Sequence, residues 1–172
     1  MSNYSKLIIF VLVLLIISAA IVLIDSSIDN INDSMPSISD NIVQGDNDYN
    51  EAVDLVNDKY FSSARDKAIS AEQHYNQSLN ELSKIKSNFT DDIDDVHKDY
   101  INKAYGEVEL KLKAVERLKD AIDCFEVEEN STGTSYASEA NDYIYEAQGY
   151  QKSRDLLIEE NPNLFKENSI FN

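Results

Sequence analysis

The sequence has little of what lets a chain turn, cross-link or cradle a phosphate. It contains one cysteine, two prolines, four glycines and no tryptophan in 172 residues. A single thiol, Cys124, excludes an internal disulfide. It also lies too far from the N-terminus to be a lipid-carrying cysteine behind a signal. On a helical stripe such a residue reads as a small buried hydrophobe. So few glycines and prolines argue against a turn-rich β fold. Gly45, Gly106, Gly133 and Gly149 stand apart, so no glycine-rich phosphate loop exists, and His-Glu-X-X-His and Gly-X-Ser-X-Gly are missing too. The two histidines, His74 and His97, fall about 14 Å apart along a helical hairpin and do not share a metal. The expectation is a non-enzyme with no catalytic residue, no cofactor and no metal.

Positive charge is also scarce. Lys and Arg number 15 against 32 Asp and Glu, a formal net charge of -17. No acid precedes Asp25 and Lys6 is the one cation there, so the remainder carries 14 cations against 32 anions, or -18. A surface this acidic repels phosphate, which excludes nucleic acid and anionic headgroups as main partners.

One long apolar run is present. Leu7 to Ile24 holds eighteen residues without a charge, about 27 Å as a helix, enough to span a bilayer. A signal peptide cut near Ala20 is the alternative. It would leave Ile-Val-Leu-Ile as a water-exposed start, and Ser18-Ala19-Ala20 follows Ile17 without a polar stretch. The run is read as a single-pass anchor. Lys6 on its near side places the N-terminus in the cytoplasm and the rest outside the cell membrane. The sequons at Asn32, Asn76, Asn88 and Asn130 fall in that outer part and Asn3 falls before it, a pattern compatible with export.

Beyond the run, Ile28, Ile31, Met35, Ile38 and Ile42 continue a heptad spacing from Ile21 and Ile24, a narrow stripe suited to packing on the domain or pairing with a second copy. Pro36 interrupts it, so residues 25–46 are expected to be a kinked helical stalk or a linker, with Gly45 as a C-terminal stop. Asp48 with Glu51 reads as a capping box. From Tyr49 to Phe89 apolar or small residues recur at the helical period: one long helix, or two if it bends near Lys59–Tyr60. Thr90 is expected to cap a second helix carrying Ile93, His97, Ile101, Ala104 and Val108 on one stripe, with Glu107–Lys111 as an i,i+4 surface pair. Glu128 to Thr134 reads as a loop, and a third helix runs from Ser135 to Glu160, stopped by Asn161–Pro162.

The expected fold is therefore all-α. It has cytoplasmic residues 1–6, a transmembrane anchor 7–24, the stalk 25–46, an antiparallel bundle of three long helices (four if the first bends) over 47–161, and a tail 162–172 whose Leu164, Phe165 and Phe171 fold back. Within it, Tyr136, Tyr143 and Tyr150 are spaced by seven with Ala140 and Ala147 between. They are expected to seat over the Ala64, Ala68 and Ala71 strip, or to line an aromatic groove for a peptide or glycan. Arg65 and Arg154 share an aromatic-X-X-small-Arg-Asp setting. These five residues, Tyr136, Tyr143, Tyr150, Arg65 and Arg154, are the candidate interaction surface. The stretch EAVDLVNDKYFSSARDKAISA resembles one tetratricopeptide helix pair through Ala52, Phe61, Ala64, Ala68 and Ala71. It lacks that repeat's glycines and proline and has no second copy at 34 residues, so no family is assigned. The functional expectation is a membrane-anchored, extracytoplasmic bundle with an interaction or scaffold role toward a protein or envelope partner or another copy of itself. A sensory or peptide/glycan-binding ectodomain acting through a partner, or a secreted form, is the alternative.

Overall fold

The structure, a computed structural model, describes residues 22–24, 29–91 and 93–167. It is a helical bundle of four helices: α1 (Asp29–Asn57), α2 (Phe61–Ser87), α3 (Asp95–Glu126) and α4 (Asn130–Glu160). Two three-residue strands, β1 (Val22–Ile24) and β2 (Phe165–Glu167), pair antiparallel before and after the bundle, with Leu23 opposite Lys166.

Consecutive helices pack on one another: α1 on α2, α2 on α3, α3 on α4. Their ion pairs give the direction. Asp48 meets Lys67 while Ser37 meets Glu81. Arg65 meets Asp123 while Lys119 meets Glu72, and Glu107 meets Arg154 while Arg117 meets Tyr136. Each neighbouring pair is thus antiparallel. The β1–β2 clasp consequently lies at the end shared by the start of α1, the α2–α3 connection and the finish of α4.

Several boundaries differ from those expected, each for an identifiable reason. The stalk is no stalk: residues 29–57 form one continuous helix with Pro36 inside it. A helix-interior proline costs about 3 kcal/mol. Burial of Met35, Ile38 and Ile42 returns about 1.5–3 kcal/mol each. Met35, Ile38 and Ile42 of that stripe therefore belong to the core of their own bundle. Ile28 lies outside the described residues, as do Phe171 and Asp92. Gly45 and Asp48 sit mid-helix, so they are neither stop nor cap. The stop comes at Lys59, which adopts a left-handed φ of 65° while Tyr60 N–H donates to Leu55 O and Lys59 N–H to Val56 O, the paired bonds of a Schellman turn. Glu128, φ 63°, repeats the device after α3, with Glu129 N–H on Cys124 O and Glu128 N–H on Phe125 O. Hence the α3–α4 connection spans only residues 127–129, and α4 begins five residues earlier than Ser135. The cap of α3 is Asp94, whose carboxylate accepts from Val96 N–H at 2.8 Å, in place of Thr90.

The expected anchor over residues 7–24 lies outside the described residues except for its last three. Those form β1, with β-branched Val22 and Ile24 in a paired strand, a setting that suits such side chains. Among the described residues no helix is long and apolar enough to cross a membrane. The tail does fold back: Phe165 is buried edge-on against His97 and beside Tyr100, and His97 Nε2 lies 2.9 Å from Leu164 O.

Candidate functional site

Four charged side chains of the interior form a chain of alternating sign. Asp46 on α1 lies 2.8 Å from Lys111 on α3; Lys111 lies 2.8 Å from Glu107 one turn earlier; Glu107 lies 2.7 Å from Arg154 on α4. Asp46, Glu107 and Lys111 are at most 2 % exposed. Tyr75 on α2 donates its hydroxyl to Asp46 at 2.7 Å, and Arg154 donates to the Tyr100 hydroxyl at 3.3 Å. All four helices thus meet at one polar seam of balanced charge.

Burial and pairing compete at each group. Burial raises the Glu107 carboxyl, but Lys111 and then Arg154 outweigh it and the group titrates below its usual value. At Asp46 burial wins over Lys111 and Tyr75, and the carboxyl is raised. Lys111 is penalised by burial, yet Glu107 and Asp46 hold its ammonium above the usual lysine value. Burial drives the Tyr75 phenol well upward, helped by the Asp46 charge. Such a seam ties α1, α2, α3 and α4 together through paired charges. The Tyr49 hydroxyl, also buried, has no hydrogen-bond partner among the described residues.

The acids around Asp48 and Asp94 are likewise engaged. Asp48 is committed to Lys67 at 3.1 Å and Ser70 at 2.6 Å, and Glu51 to Lys67 at 2.8 Å. Asp94 caps α3 and Asp95 pairs with Lys98 at 3.5 Å. His74 sits between Asn41 and Asp48. Among the described residues no group of three or more His, Cys, Asp and Glu could hold a metal ion.

The candidate interaction residues separate. Tyr136, Tyr143 and Tyr150 do form a ridge, but on α3: Tyr136 lies over Arg117, Tyr143 over Lys113, and the Tyr150 ring lies against Gly106. The α2 alanines Ala64, Ala68 and Ala71 are buried away from it, because α2 and α4 share no packed face. Arg65 binds Asp123 and Glu126 across the α2–α3 interface. Arg154 is part of the buried seam. Of the five, Tyr150 is the most open, 42 % exposed. It borders a shallow groove of about 300 Å³ with Lys103, Glu146, Gly149 and Ser153. Tyr145 and Leu156, which sequence reasoning passed over, are more exposed still, on the side of α4 away from α3.

Comparison with protein-family models, with curated proteins and with solved structures gives no match. What this chain does must be read from its own surfaces.

Proposed function

We propose that this protein is a non-enzymatic interaction module, held at the cell membrane by the apolar run that begins at Leu7 and precedes β1, with its bundle on the outer side. One observation carries the reading of contact over catalysis. The ionisable groups at the centre are spent on one another, while α4 is covered by α3 on one side and leaves Tyr145, Tyr150 and Leu156 open to solvent. Large exposed side chains on a firmly docked helix are what a binding face needs.

The anchor reading rests on the uncharged run of residues 7–21 that precedes β1, about 22 Å as a helix, which crosses a bilayer with local thinning. The clasp supports a definite presentation. Because β1 pairs beside the end of α4, a tether preceding it leaves from the α2–α3 end, and the turns at Lys59 and Glu128 stand at the far end.

Cell fractionation with protease added from outside tests this reading. The expected result is a membrane-bound product whose bundle is cut in intact cells. A soluble mature protein beginning at Ile21, or a bundle protected until lysis, overturns it.

A further inference from the structure

Three of the four glycines are seats for aromatic rings. A Cβ on Gly45 would lie 2.5 Å from the Tyr75 ring, one on Gly106 2.9 Å from Tyr150, and one on Gly133 2.7 Å from Phe125. In each case a ring from the neighbouring helix lies flat on a backbone that only glycine leaves bare. The fourth, Gly149, is different. It stands in the middle of α4 with no positive φ and with nothing within 4 Å of its Cβ position. A mid-helix glycine without a steric reason is destabilising. No described residue accounts for this one.

The surface around it supplies a reason. Ser138, Asp142, Tyr145, Gly149, Lys152 and Leu156 are all exposed and recur at 4, 3, 4, 3, 4 along α4, so they share one face of the helix. The stripe is its own complement when reversed. Laid antiparallel on a copy of itself about Ala147, it sets Tyr145 on Gly149, Asp142 against Lys152 and Ser138 against Leu156. Neither Asp142 nor Lys152 forms an ion pair with another described side chain. Tyr145 is 60 % exposed, and the groove beside Gly149 and Ser153 is large enough to take a phenol ring.

We infer that α4 is a dimerisation face, on which a second copy of this chain packs antiparallel. The Tyr145 ring of each copy occupies the empty Gly149 seat of the other, and Asp142 pairs with Lys152 across the two-fold axis. A two-fold contact of this kind uses one patch twice, so one stripe is sufficient. It has a consequence that rests on the anchor reading. The tether leaves from the end of the bundle where α4 finishes, and antiparallel copies carry their tethers at opposite ends. Paired this way, the protein joins two facing membranes and not two neighbours in one membrane.

The test uses the full chain in detergent micelles, with protein mass measured by sedimentation. The wild type is expected to be a dimer; a monomer at about 100 μM, where even a weak dimer is substantially populated, overturns the inference. Asp142→Lys and Lys152→Asp each place like charges across the axis, and each is expected to weaken dimerisation about 10-fold or more. Both sites are exposed, and unchanged helical ellipticity by circular dichroism will show that the fold is kept, since loss of association by itself lowers the thermal midpoint. The two variants mixed together, or combined in one chain, restore opposite charges at every contact and are expected to dimerise again. Single variants as tight as wild type, or no rescue on mixing, overturn the register. Tyr145→Ser and Gly149→Leu are expected to give monomers. Vesicles carrying the full chain are expected to cluster, and Tyr145→Ser to abolish clustering. A dimer in micelles whose vesicles stay dispersed keeps the α4 contact and overturns the bridging arrangement.

Discussion

The first and last helices are nearly equal in length, 29 and 31 residues, and are held by different means. Helix α1 sinks Met35, Ile38, Ile42, Tyr49, Ala52, Val53 and Val56 into the core. Helix α4 buries one large apolar side chain, Ile144, among the alanines at 137, 140 and 147, and relies on Arg154 at the seam and Tyr150 on Gly106. Helix α1 is fixed by apolar volume. Helix α4 is fixed by close backbone approach and one buried charge, and its far side is exposed. A helix docked through small residues lies tight against its neighbour without being enclosed, which is the condition for a rigid binding face.

The comparison can be broken most strongly at the group that joins both helices. Lys111→Met leaves Asp46 and Glu107 buried with a cation removed between them. It is expected to cost about 3–5 kcal/mol in urea unfolding, the usual penalty for orphaning a buried charge. Replacing the whole chain of charges by apolar residues of matched volume is expected to cost far less, since desolvation then disappears along with the attraction.

Alkaline pH comes next. The phenols of Tyr75 and Tyr100 are raised by burial above their usual value of 10.0, and Lys111 is raised above 10.5 by Glu107 and Asp46 despite its burial. Groups with a raised folded-state pKa stabilise fully below the unfolded value and lose that contribution as pH climbs past it. Stability is therefore expected to fall from about pH 10 upward, and Tyr75→Phe to flatten the first part of that fall in urea midpoints. The acid side is mixed. Glu107 is depressed below 4.5, so its contribution is lost as pH drops through its folded value. Asp46 is raised above 3.8 and acts in the opposite sense, gaining with acid. A shallow acid response and a steep alkaline one is the expected profile.

The same small change then separates α1 from α4. Gly45→Ala forces a methyl into the Tyr75 ring, which is locked by its bond to Asp46; overpacking of this kind costs about 1–3 kcal/mol. Gly149→Ala places its methyl in open space and is expected to stabilise by up to about 1 kcal/mol, measured in a Tyr145→Ser background so that self-association does not contribute. Equal effects at the two sites would erase the distinction drawn between the helices. The smallest effect is expected at the surface: Lys119→Ala, which removes the partly exposed pair with Glu72 at 2.8 Å, should cost less than about 1 kcal/mol.

Some of this was legible residue by residue. The apolar period from Tyr49 onward marked helical segments, and Asn161–Pro162 marked the end of the last one. The bend near Lys59 was visible as an option. The turn was hidden because a lysine, not a glycine, occupies the left-handed position, which costs a side-chain-bearing residue about 1–2 kcal/mol. Gly45 misled for the complementary reason: it looks like a helix stop and is a ring seat. The charged seam left one trace in the sequence. Tyr100, Ala104, Glu107, Lys111, Ala114, Leu118 and Ala121 form a second stripe on α3 at spacings of 4 and 3. A helix with two such stripes is covered on two sides, so its i,i+4 pair is buried; read alone, that pair looks like surface charge.

The sequence by itself determined that the chain is helical, acidic and poor in cysteine, glycine and proline, because period, charge and composition are properties of neighbours along the chain. Which stripe faces which helix was decided only in the tertiary structure. Met35, Ile38 and Ile42, suited by their spacing either to the domain or to a second copy, lie in the core of their own bundle, and the tyrosines that could have seated on the α2 alanines lie on α3. Period fixes a face, but only the packing of four helices at once decides what covers it, and on α4 that packing leaves a face uncovered.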